Sequence, residues 1–140
     1  MTLKPSEFTP EDALISVMIA TSASDLTIRT SELVSIERMV NHLPVFGDYD
    51  PERIKDVSNT VFDMLAEAEG LELLWETVRH ALPERLFDTA YAMACDVAAA
   101  DLKAGEGEMR LLEDMRYELN IDRLLAAAIE AGSRARHRLL

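Results

Sequence analysis

The chain has 140 residues, 49% of them apolar and 29% charged, with 26 acidic against 14 basic side chains and a formal net charge of −12. That balance repels phosphate backbones and anionic membrane surfaces, which argues against nucleic acid and for cations, basic peptides and basic protein surfaces as partners. A single cysteine, Cys95, excludes an internal disulfide and predicts a reducing cytoplasm, and no apolar run is long enough for membrane insertion or a signal peptide.

The length suits one domain with one core, residues 1–140, and helix formers outweigh β-branched runs. Thr9-Pro10-Glu11-Asp12 predicts a first helix, with Thr9 as cap, Pro10 at the first position and acids at the positive end of the dipole. Ala13, Val17 and Ala20, with Met18 or Thr21, form its apolar stripe up to Ser24-Asp25. A second helix starts near Arg29–Ser31, turns Leu33, Ile36, Met39, Val40 and Leu43 inward and stops at Pro44. The aromatics of Val45–Tyr49 are expected to fold back on the core. Asp50-Pro51-Glu52 opens a third helix reaching Glu69, with acids along its outer face, and Gly70 is expected to break it. Leu71–Leu82 is a shorter helix with Leu71, Leu74, Trp75 and Val78 inward. Pro83-Glu84 begins a fifth, so poor in polar residues that it reads as central. A sixth runs from Glu106 to Leu119 with Met109, Leu112 and Met115 inward, and Asn120 gives a left-handed exit. Asp122 caps the last, through Leu124, Leu125, Ala128 and Ile129. The fold class is all-α, with about seven helices.

An internal repeat organises these elements. Residues 23–43 and 99–119 align without a gap and share Ala, Asp, Leu, Glu, Glu, Met and Leu at 23/99, 25/101, 26/102, 32/108, 37/113, 39/115 and 43/119. The chain reads as two helix–turn–helix units, residues 10–43 and 86–119, each with Asp-x6-Glu across its turn. Two readings of that turn stay open. Hard divalent cations (Ca²⁺, Mg²⁺ or Mn²⁺) take several oxygens, and Asp25, Glu32, Asp101 and Glu108 with free turn carbonyls could supply them. Alternatively Glu32 and Glu108 stand at the third position of their helices and reach back as in a capping box, while Asp25 and Asp101 hold local amides. The second reading needs no cofactor.

The two Ala-x-Asp-Leu-x5-Glu units, the helix count and the length resemble the tellurite-resistance B (TerB-like) family, whose members are small all-α bacterial domains with a repeated Asp-Gly-x5-Glu element around a helix pair. The resemblance covers residues 10–132. It implies a negatively charged patch that binds a divalent cation, carried here by Asp25, Glu32, Asp101 and Glu108. It implies a non-catalytic module of stress or tellurite response that acts through protein partners. Leu26 and Leu102 stand where the family has glycine.

Other chemistry is thinly represented. Cys95 lies on an apolar helix face, the three histidines are scattered, and no P-loop, Gly-x-Ser-x-Gly elbow or dinucleotide fingerprint is present. A metal-dependent hydrolase is the enzymatic alternative, and it lacks a histidine near the acids and a clear nucleophile. A purely structural subunit without an ion is the third. Arg134, Arg136, His137 and Arg138 form a basic cluster, answering a helix dipole or docking onto an acidic face of the same or another copy. Self-association is left open.

Overall fold

Local capping signals decide where the helices begin. In the computed structural model, which describes residues 3–23, 30–100 and 106–140, the Asp12 amide donates to Thr9 Oγ1 at 3.1 Å and the Thr9 amide donates to Asp12 Oδ2 at 3.0 Å. This reciprocal cap, with Pro10 in the first turn, starts α1 (Pro10–Ser22). Six more helices follow: α2 (Thr30–His42), α3 (Arg53–Leu65), α4 (Gly70–Ala81), α5 (Phe87–Ala100), α6 (Glu106–Glu118) and α7 (Arg123–Arg136). Short 3-10 turns lie at Pro5–Glu7, Pro44–Phe46 and Glu84–Leu86. Asn120 leaves α6 with φ of 51°, and the Asp122 side chain accepts from the Leu125 amide at the start of α7. Among the described residues there is no strand, and the fold is all-α.

Two helices share the centre. α5 is apolar on most sides and buries Ala90, Tyr91, Met93, Ala94, Cys95, Val97 and Ala98, as its sequence predicts. α1 is more enclosed still: every residue from Asp12 to Ser22 is buried, where the sequence suggested only one stripe. Its serines and threonine tolerate this by bonding back to their own helix, Ser16 to the Ala13 carbonyl, Thr21 to Val17 and Ser22 to Met18. α1 packs along α5; α3 and α4 cover α1, α7 covers α5, and α2 and α6 each lie against both. The proposed repeat units fall on α1–α2 and α5–α6, so each supplies one central and one flanking helix.

The sequence misjudged two features here. α3 ends at Leu65, and Gly70 opens α4 instead of breaking α3. A Cβ at Gly70 would sit 1.9 Å from the Met64 carbonyl oxygen, so the close approach of α3's end demands glycine. Leu33, Leu71 and Met109, read as inward, are exposed. For Leu33 and Met109 the cause is plain. Consecutive helical residues point about 100° apart, and the inward position of the first turn is taken by the residue before.

Candidate functional site

That preceding residue is a glutamate in both halves. Glu32 and Glu108 are each 1% exposed, a rare state for a carboxylate. Each is the third residue of its helix, α2 or α6. Each opens a buried stripe that continues with apolar side chains, Glu32-Ile36-Val40 on α2 and Glu108-Leu112-Met115 on α6. Equivalent positions of the repeat therefore hold equivalent acids, tucked beneath flanking helices that lie against the central pair. Both acids are engaged in polar or electrostatic interactions. Burying a carboxylate without hydrogen bonds or a cation costs several kcal/mol, about enough to cancel a small domain's margin of stability. Asp25 and Asp101 lie outside the described residues. Among the described residues, no cluster of three or more His, Cys, Asp or Glu side chains has an arrangement suited to a metal. Of the four expected ligands the structure describes Glu32 and Glu108, each at the positive end of its helix.

No family model, curated protein or solved structure matches this chain.

Two further polar clusters escaped the sequence reading. Asp12, wholly buried, accepts from Tyr49 Oη at 2.7 Å and from Arg53 Nε and Nη2 at 3.1 and 2.5 Å. Burial works to raise the Asp12 pKa. The hydrogen bonds from Arg53, Tyr49 and Thr9 outweigh it and hold the carboxyl below its usual range. The second cluster joins α5, α6 and α7. Tyr91 Oη donates to Glu130 Oε2 at 2.5 Å, and Arg116 Nη1 reaches the same oxygen at 2.7 Å and Tyr91 Oη at 3.0 Å. Burial, and then the hydrogen bond to Glu130, push the Tyr91 pKa up, so the phenol stays neutral. Each central helix is thereby tied to its cover by a tyrosine, an arginine and a carboxylate. The available signals were an acid in an otherwise apolar helix (Asp12) and an arginine in a first turn, against the dipole (Arg53).

The cysteine is buried, and two of the histidines bond to their own helices. Burial pushes the Cys95 thiol up to about 11. His42 and His137 each donate Nδ1–H to a carbonyl of their own helix, Arg38 and Ser133, at 2.8 Å. Of the C-terminal basic cluster, Arg136 docks on Asp96 of α5 at 2.7 Å.

A broad groove of about 960 Å³ separates α2 from α3. Leu33 and Ile54 give it an apolar floor, and Glu37, Asp50, Glu52 and Asp56 line it with negative charge. Lys55 is the one lysine among the described residues of its lining, and Arg53 is already committed to Asp12. The wall is chemically suited to a basic, partly apolar segment.

Proposed function

We propose that the chain is a non-catalytic, TerB-like interaction module of bacterial stress or tellurite response, which binds protein partners and carries a divalent-cation site at its repeated turns. The observation that supports it is the matched burial of Glu32 and Glu108 at equivalent places of the two units. Both acids are engaged in polar or electrostatic interactions, and a cation shared with Asp25 and Asp101 would be one partner suited to such oxygens. The acidic groove between α2 and α3 supports the adaptor role, its occupant being a basic segment of the partner.

The position of both glutamates in a first helical turn favours a second reading, in which they serve as caps and no ion enters. Thermal melting and calorimetry with Ca²⁺, Mg²⁺ and Mn²⁺, before and after chelation, separate the two. A specific site raises the melting point by mass action, and Asp25→Asn or Asp101→Asn removes the response without unfolding the protein. If the unaltered protein responds to no cation at millimolar concentration, the turns are caps and the module acts without metal.

A further inference from the structure

A smaller cavity lies between α5, α6 and α7. Its volume is about 220 Å³, and its wall is chiefly apolar, formed by Cys95, Ala98, Ala99, Met109 and Leu112. One end is polar. Arg116 and Glu130 stand there with Tyr91, and Arg134 and Ser133 come from the last turns of α7.

The polar groups at that end are not equally committed. Glu130 Oε2 already accepts from both Tyr91 and Arg116. Arg134 has no ion-pair partner among the described residues. Ser133 is 3% exposed, and its Oγ has no hydrogen-bond partner. A helical serine at such a site normally bonds to the carbonyl one turn back, and here an uncommitted donor is left at the cavity wall. Among the described residues of the lining, two arginines stand against one glutamate, in a chain of net charge −12.

We infer that this cavity binds a small monocarboxylate with an apolar body, of the size of a single aromatic ring or a medium aliphatic chain. The volume exceeds the roughly 150 Å³ that admits benzene and falls short of the space a long lipid chain needs. The apolar wall takes the body, while Arg134 and the Ser133 hydroxyl receive the carboxylate. Met109, half exposed at the wall, is a flexible side chain able to adjust to ligands of different shape. A cationic ligand would meet Arg134 and Arg116 and find Glu130 already taken. A bare inorganic anion would gain nothing from the apolar wall. The site uses none of the four acids of the repeated turns, so it stands or falls independently of the cation reading.

The test is titration of the ¹⁵N-labelled full chain with octanoate, octanol and octylammonium, followed by amide chemical shifts. The expected result is saturable binding of octanoate with shifts at Cys95, Leu112 and Ser133, about tenfold tighter than octanol, and no response to octylammonium. Arg134→Gln, at an exposed position, is expected to keep the melting point and to bring octanoate down to the affinity of octanol. Ala99→Leu, which narrows the cavity, is expected to weaken both ligands. If Ala99→Leu does not fold, the Arg134→Gln comparison carries the test alone. The proposal is overturned by the absence of saturable octanoate shifts at millimolar concentration, by an equal response to octylammonium, or by an unchanged octanoate preference in Arg134→Gln.

Discussion

Asp12 accepts hydrogen bonds from Thr9, Tyr49 and Arg53. It caps its own helix, accepts from Tyr49 and grips Arg53, all with no exposure to solvent. Asp12→Asn keeps the shape but removes the charge that Arg53 needs, and is expected to cost about 2–3 kcal/mol in urea denaturation, a value reduced because Arg53 is one-third exposed. The pH dependence has a definite sign. The folded pKa of Asp12 is lowered, so its stabilisation is complete above the unfolded carboxyl value of about 4 and is lost as pH falls through the folded value. Melting points measured below about pH 4 should therefore drop more steeply in the unaltered protein than in Asp12→Asn; parallel curves would remove Asp12 from the account of acid unfolding. Cys95 offers a second check. Its thiol is 5% exposed and raised to about 11, so iodoacetamide at pH 8 should label it at least about tenfold more slowly than a free peptide thiol. Rapid labelling of the native protein would contradict the packing of α5.

At the scale of elements, the helix starts and the helix exits were legible because they depend on single residues with local partners. Thr9, Pro10, Asn120 and Asp122 do what their chemistry dictates. The inward faces were less legible, and Leu33 and Met109 explain why. A periodicity argument counts apolar residues, so it shifts the face by one position when an acid holds the core position. Glu32 and Glu108 were recognised as a repeated pair from sequence, but their burial was not, because nothing local distinguishes a buried glutamate from a solvated one. The two tyrosine–arginine–carboxylate clusters were illegible for a related reason: Asp12 lies 37 and 41 residues from its partners Tyr49 and Arg53, and the members of the other cluster lie 14 to 39 apart. Gly70 shows the limit from the other side, since its role follows from an approach between two helices that no local rule encodes. Gly70→Ala would force its Cβ into the Met64 carbonyl, an atom of the backbone that cannot swing away. The expected loss is roughly 3 kcal/mol or more, in the range reserved for backbone strain and overpacking. A melting point within a few degrees of the parent would show that the α3–α4 corner relaxes freely.

Across the whole molecule, charge is distributed unevenly, and that unevenness sets what the surface can recruit. The strongly negative body of the chain concentrates four carboxylates along the groove between α2 and α3, over the apolar Leu33 and Ile54. A helical peptide with leucines on one face and lysines on the other matches this wall in both respects, and charge complementarity should govern its approach more than its final affinity. Binding measured by fluorescence polarisation is expected to weaken by about tenfold or more as ionic strength rises toward 0.5 M, where screening shortens electrostatic reach to a few ångströms. Glu37→Lys combined with Glu52→Lys reverses two exposed charges of the groove and should abolish binding with little effect on stability. Glu113→Lys, on α6 and away from that groove, provides the comparison, since it changes net charge by the same amount per site. If Glu113→Lys weakens the peptide as much per charge as the groove pair does, the attraction belongs to the molecule's overall field and not to a docking surface. A selective loss in the groove variant, with the peptide's affinity restored when its own lysines are exchanged for glutamates, would fix the partner's chemistry as a basic amphipathic helix.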